Sequence, residues 1–354
     1  MAGLPGWHQA LPGAAARAEA PRTRLPEPHH RRRAARRHQG RELHARHALR
    51  VRAAGAGDGQ VEGLTVKRFV LAVGLLTGAL QVLAQADAAP SYPPHIVPRT
   101  QLRVLPATPD DRRYQLHIHL PASFAREPSR RYPVLYVTDG YWDFTTMINA
   151  YNSKVADRVV PEFIIVGLGY AGESPDYDRL RRWDLPPVKL PEPGDTGHAD
   201  KFLATLEREI IPLMERDYRA DPAHRMLAGS SLGGLFTLYA MYSRPTLFEG
   251  YIAASPAVNV DNDWIIGQAK SYAATGKPIK ARLYVTGAEL EWPGYLAGIK
   301  RYQSLLPVLN HPGLVFENRI IDGERHSGTK PESYARGMRF VFEPLAPETG
   351  PQKD

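Results

Sequence analysis

Residues 227–236 read LAGSSLGGLF. Within them Gly229-Ser230-Ser231-Leu232-Gly233 forms a G-x-S-x-G, with a serine set between glycines directly after a short apolar run. A serine hydroxyl is a poor nucleophile until a base takes its proton. Chemistry at this serine therefore requires a histidine within reach, a carboxylate behind that histidine, and N–H donors for the oxyanion that forms. The flanking sequence supplies a context. "HRMLAGS" (224–230) reads as a buried strand and "LGGLFTLYAMYSR" (232–244) as a helix. Strand before and helix after make the short pattern a nucleophile elbow. The glycines let strand and helix approach closely, Ser231 rises above the sheet edge, and Ser230 faces away. The backbone N–H of Leu232 is then expected to point toward the reacting oxygen.

Two histidines follow Ser231. His311, in LNHPG, precedes a strand and reads as part of a turn. His326, in IIDGERHSG, follows the last strand, and active sites of parallel sheets gather at the carboxyl ends of strands. His326 is the expected base. On hydrolases built around this elbow the chain order is serine, acid, histidine. The acid is therefore expected just after "ARLYVTG" (281–287), where AELEW holds Glu289 and Glu291. Either can orient the imidazole, and Glu291 is preferred. The second oxyanion donor is expected from the loop after "PVLYVTDG", at Asp139-Gly140-Tyr141, with the amide of Tyr141 joining that of Leu232.

Other chemistries find no residues. "GLGYAG" (167–172) matches G-x-G-x-x-G, but a Pro-rich stretch follows it where a dinucleotide site needs a helix N-terminus. There is no HExxH, P-loop or paired-histidine spacing, and no cysteine. No metal and no cofactor are implied. The net charge of +8 is not spread evenly. Residues 1–86 hold 14 Lys and Arg against 5 Asp and Glu, and residues 87–354 hold 31 against 32. The main body thus gives no electrostatic case for a nucleic-acid partner.

Residues 1–65, with HHRRRAARRHQGR at 29–41, carry no apolar period and read as a disordered basic extension. Residues 66–88 read as a secretory signal peptide: Lys67 and Arg68, an apolar run from Phe69 to Leu83, then small residues at Ala84, Ala86 and Ala88. The run is short for a membrane span of ~20 residues, so no stable span is expected once the signal is cleaved. A signal at this position places the natural start near Val66 and the protein outside the cytoplasm, periplasmic or secreted.

From residue 89 to 348 strand-like runs alternate with helical patterns. "TQLRVLP" and "YQLHIHLP" alternate apolar and polar residues, as half-buried strands do. "YPVLYVTDG", "EFIIVGLGY", "HRMLAGS", "EGYIAASP", "ARLYVTG" and "LVFENRIID" follow, several of them solidly apolar. Helical stripes are expected over 199–219, 232–244, 296–309 and 331–345. This order predicts one α/β domain: a mostly parallel sheet, helices on both faces, and antiparallel N-terminal edge strands. Residues 171–197 read as a long Pro-rich loop of the kind that covers sites.

"VLYVTDG", "RRWDLPP", "GSSLGGLF", "RPTLFEGYIAASP" and "DGERH" together resemble the esterase family of α/β-hydrolases, in its siderophore-esterase-like and esterase D-like branch. The likeness spans about residues 98–345. It implies an α/β-hydrolase fold, Ser231 as nucleophile, His326 as base, and Arg182 and Asp184 lining or bracing the site. Two departures stand out: G-A-E-L-E is one residue longer than the family spacing, and VNVDNDW follows SPA where an aromatic pair is common. The expected activity is hydrolysis of a small-molecule carboxylic ester, a siderophore or an aryl or acyl ester, through an acyl-enzyme. The alternatives are an acyltransferase of the mycolyltransferase type and a non-catalytic binding domain on the same scaffold.

Overall fold

Eight apolar runs become eight strands of one sheet. They are β1 (Thr100–Val104), β2 (Tyr114–His119), β3 (Tyr132–Val137), β4 (Ile164–Tyr170), β5 (Ala220–Ser230), β6 (Gly250–Ala254), β7 (Ala281–Ala288) and β8 (Leu314–Ile321). The structure, a computed structural model, describes residues 95–191 and 193–347. The basic extension and signal peptide expected over 1–88 lie outside the described residues. The spatial order is β1-β2-β4-β3-β5-β6-β7-β8. β2 runs antiparallel to both β1 and β4, and β4 through β8 are mutually parallel. The mostly parallel sheet with an antiparallel N-terminal edge is thus the observed one. Every residue of β4 and β6 is buried, as strands covered on both faces must be.

The helices are α1 (Gly140–Ala156), α2 (Tyr177–Asp184), α3 (Ala199–Thr205), α4 (Ile211–Asp217), α5 (Leu232–Ser243), α6 (Trp264–Ala274), α7 (Pro293–Leu309) and α8 (Lys330–Phe342). Alternation along β3 assigns them to faces. Leu135 and Val137 pack with Phe144 and Met147 of α1 and Tyr334 and Met338 of α8. Val134 and Tyr136 belong to the opposite core, with Phe202 of α3, Phe236 of α5 and Tyr302 of α7.

The single helix expected over 199–219 is α3 and α4 joined by a π-helical turn, Leu206–Ile210. Pro212 sits in the first turn of α4, where its missing N–H disturbs the hydrogen-bond ladder behind it. The stretch 171–197 is not a loop throughout. It contains α2, begun by Asp176, whose carboxylate accepts the N–H of Arg179 at 3.1 Å.

One buried group makes the fold sensitive to acid. His119 on β2 is fully buried, edge-on to Tyr151, and neither ring nitrogen has a partner. Burial, with Arg99 nearby, pushes its pKa down to about 4. The folded state thus keeps His119 neutral while the unfolded chain protonates it near pH 6.5. Stability is intact above pH 6.5 and is lost as pH falls from there toward 4, by at most about 3 kcal/mol from this residue. Urea titrations at pH 7 and 4.5 should show a smaller loss for His119→Leu than for wild type. An equal loss would assign the acid sensitivity to other groups.

Candidate active site

The elbow forms where the strand order reverses. β3 neighbours both β4 and β5, so the chain leaves β3 to opposite sides and opens a crevice at the carboxyl ends of β3 and β5. Ser231 stands between β5 and α5 with φ 59 and ψ −120, a conformation an L-residue adopts only under strain of roughly 1–3 kcal/mol. Three backbone bonds fix it. Ser231 N–H donates to Ala254 O at 3.0 Å, and its own carbonyl accepts from Leu235 at 2.9 Å and Ala257 at 3.0 Å. Ser230 is buried, away from the surface.

The elbow glycines are required by approach. A Cβ on Gly229 would overlap the backbone carbonyl of Gly233, and one on Gly233 would overlap the Thr138 hydroxyl. Neither backbone can yield without moving Ser231. Gly229→Ala is therefore expected to lower stability by about 2–3 kcal/mol and to remove activity with it. A thermal melt and an ester assay on the variant check this; an unchanged melting temperature would contradict the packing argument.

His326 lies beyond β8 and Glu291 beyond β7. Nδ1 of His326 is 2.9 Å from Oε1 and 3.1 Å from Oε2 of Glu291, whose side chain is fully buried. A carboxylate only accepts, so Nδ1 carries the proton and Nε2 keeps its lone pair. Glu289 is used otherwise: its Oε2 accepts the N–H of Gly323 at 2.7 Å. The structure thus brings Glu291, and not Glu289, to the imidazole. His311 is buried between Tyr242 and Tyr272 with neither nitrogen bonded.

The amides of Leu232 and Tyr141 both lie in first helical turns, where N–H groups have no partner within the helix. Neither donates to an acceptor among the described residues. The two turns are in contact, since a Cβ on Gly233 would sit 3.3 Å from Asp139 Oδ2. Asp139 takes the left-handed conformation, φ 54, and is pinned by Arg181, which donates to both carboxylate oxygens at 2.8 Å. Gly140 follows because its Cα faces the backbone of Gly167, 2.5–2.8 Å from where a Cβ would stand. Gly167 of GLGYAG therefore serves packing of α1 onto β4, while Gly169 faces His117 and Gln115 of β2.

Of Arg182 and Asp184, it is Asp184 whose contact is seen, and it runs to β2. Asp184 is fully buried and accepts the Tyr114 hydroxyl at 3.0 Å, and burial pushes its pKa up to about 7. It braces α2 against β2. Arg182 is half-buried on α2. The guanidinium that reaches the oxyanion turn belongs to Arg181, one position earlier, because that position of α2 faces the sheet end.

Several site residues were not read from sequence. Tyr295 of α7 sets its hydroxyl 3.5 Å from Ser231 Oγ and stacks edge-on with His326. No hydrogen bond joins Ser231 Oγ to His326 in this arrangement; catalytic bonds of free enzymes are often long and close only around substrate. Below the site Asp143 of α1 accepts from Lys330 at 2.7 Å and from Tyr334, tying α1 to α8. Burial raises the Asp143 carboxyl above the usual range, and Lys330 opposes that shift. At the rim Tyr141 and Tyr177 stack with centroids 4.2 Å apart beside Trp142, while Trp292 covers His326 from the other side. Trp292 is 64% exposed and Tyr141 57%, so each ring keeps surface open to a ligand. A cleft of ≈ 260 Å³ lies between Leu290, Glu291, Trp292, Pro293, Arg325 and His326. A larger hollow of ≈ 730 Å³ lies between α6 and α7, lined by none of the candidate site residues.

An eight-stranded sheet of this order, with a strained serine after β5 and a histidine after β8, defines the α/β-hydrolase class. The chain matches the family described as "Putative esterase" over residues 108–286. It belongs to that family and is a carboxylic ester hydrolase. It is similar to the ferri-bacillibactin esterase BesA of Bacillus subtilis (strain 168), 29% identical over 271 residues that cover 71% of this chain and 92% of BesA. A siderophore triacetylfusarinine C esterase of Aspergillus fumigatus is 34% identical over 148 residues, 41% of this chain and 51% of that protein. Among solved structures, the BES protein from Bacillus cereus superposes with a TM-score of 0.65 at 27% identity, covering 72% of this chain and 99% of that one.

Proposed function

We propose that this protein hydrolyses siderophore esters outside the cytoplasm through an acyl-enzyme on Ser231. His326 takes the serine proton at Nε2 as Oγ attacks the ester carbonyl. Glu291 holds Nδ1 and stabilises the imidazolium, and the amides of Leu232 and Tyr141 receive the oxyanion. His326 then returns the proton to the leaving alcohol, activates a water, and the acid is released. The observation that carries this reading is the Nδ1 contact of His326 with both oxygens of a buried glutamate, with Tyr295 touching both that histidine and a serine at φ 59. Two features support the substrate class. The aromatic faces of Tyr141 and Trp292 suit a planar aryl-acyl unit, and the relative matched over most of the chain, BesA, is a ferri-bacillibactin esterase.

The test is a panel of a trilactone siderophore, an aryl ester and p-nitrophenyl acyl esters, followed in a pH-stat with and without an acceptor alcohol. Preference for the siderophore and acid release indifferent to the alcohol are expected. Preference for simple acyl esters would overturn the substrate assignment, and transfer to the alcohol would replace hydrolase by acyltransferase.

A further inference from the structure

Asp139 opens helix α1 without doing what a capping aspartate does. Its carbonyl accepts the N–H of Trp142 at 2.9 Å and of Asp143 at 3.1 Å, yet its carboxylate makes no bond to the first turn. An aspartate in this place ordinarily takes an extended backbone and folds its side chain back onto the N–H of the second or third helical residue. The second residue of α1 is Tyr141, whose N–H donates to no acceptor among the described residues. Asp139 is instead left-handed, at φ 54 and ψ 40, and Arg181 takes both its oxygens at 2.8 Å. Both partners are out of water: 4% of the Asp139 side chain and 13% of the Arg181 side chain are exposed. The helix that carries Arg181 is itself fastened. The Trp183 indole N–H donates to Asp195 at 2.9 Å, with the Arg112 guanidinium over its ring, and Asp184 is bonded to Tyr114 of β2. One turn before Arg181, Tyr177 stacks on the ring of Tyr141. Helix α2 thus grips the residues on either side of Gly140.

We propose that Arg181 is a positioning residue that keeps the oxyanion donor open: it draws the Asp139 carboxylate away from the N–H of Tyr141 and cancels its charge beside the site. This rests on the reading of Leu232 and Tyr141 as oxyanion donors. The carboxylate stands close enough to matter, since its Oδ2 lies 3.3 Å from where a Cβ on Gly233 would be, one residue past Leu232. Without the guanidinium a buried carboxylate is left with no partner, a costly state. Its nearest remedy is the cap. Asp139 leaves the left-handed region, which an aspartate holds only at a cost, and accepts the N–H of Tyr141. The donor meant for the developing oxyanion is then occupied, and a fixed negative charge stands where another must form. Arg181 touches no reacting atom and binds no substrate in this role, so its removal acts on kcat rather than KM.

The test is steady-state hydrolysis of an aryl ester, with a thermal melt on each preparation. The proteins are wild type, Arg181→Gln, the double variant Arg181→Gln with Asp139→Asn, and Arg179→Gln. Arg181→Gln should lower kcat by about 10²- to 10³-fold, the worth of one oxyanion donor, with KM changed by no more than a few-fold. The double variant has no carboxylate to release, and asparagine accepts the left-handed turn. Its kcat should therefore recover to within about tenfold of wild type. Between preparations that the melts show to be folded at the assay temperature, such a recovery is not the behaviour of a side chain that merely holds the fold or binds substrate. Arg179→Gln removes an exposed guanidinium of the same helix and should match wild type. A folded Arg181→Gln with kcat within a few-fold of wild type overturns the proposal. So does a double variant slowed by more than about tenfold. If Arg181→Gln yields no folded protein, the double variant decides alone by the same limit. A wild type that hydrolyses no ester overturns the reading of the site and this role together with it.

Discussion

Ser231→Ala should lower ester hydrolysis by about 10⁴-fold or more while leaving the melting temperature close to wild type. The size follows from what the side chain does. Without Oγ no acyl-enzyme forms, and His326, Glu291 and the Leu232 and Tyr141 amides have no nucleophile to serve. The fold should not suffer, because Ser231 is held by its backbone: its N–H and carbonyl make three bonds that alanine keeps. Relief of strain at φ 59 does not occur either, since alanine at that φ is as strained as serine. Initial rates on an aryl ester, with a thermal melt on the same preparation, separate a chemical loss from an unfolded protein. Activity within tenfold of wild type would remove Ser231 from the reaction.

Glu291→Gln should cost about 10²- to 10⁴-fold in kcat with little change in KM, and Glu289→Gln should leave kcat within a few-fold. The two residues are two positions apart and chemically identical, so the contrast isolates geometry. At position 291 an amide can present its N–H₂ to Nδ1. That turns the imidazole to the tautomer with a proton on Nε2, which cannot accept one from Ser231. At position 289 the partner is the N–H of Gly323, and a glutamine carbonyl still accepts it. The cost there is one charge-assisted bond, about 1 kcal/mol of stability. Steady-state kinetics on both variants check the assignment; equal losses would mean that both carboxylates act on the histidine.

The sheet was legible because each strand is a short apolar run bounded by turn residues, and burial on both faces makes such runs continuous. The elbow was legible because its chemistry is local: two close approaches force glycine, and the reacting residue sits between them. Helix α1 escaped notice although Phe144, Met147, Ile148 and Tyr151 mark one face at helical spacing; interleaved Trp, Thr and Asn blur that stripe. Helix α2 left a weaker trace. Its residues are mostly charged, and its order comes from the Asp176 cap and the reach of Arg181 to Asp139. That contact spans 42 positions, which no local pattern announces. The same holds for Tyr295, 64 positions from Ser231. The choice between Glu289 and Glu291 turned on where β7 ends: Glu289 continues the pairing with β8 through Ile321, and the chain bends before Glu291.

The central claim is that Ser231 is the nucleophile and His326 its base. Its most direct test is to treat the folded protein with a fluorophosphonate, digest it, and locate the adduct by tandem mass spectrometry. One adduct is predicted, on Ser231 and not on Ser230, absent from Ser231→Ala and slowed by orders of magnitude in His326→Ala. An adduct on Ser230 or elsewhere, or one on Ser231 that forms at the same rate without the imidazole, would contradict it.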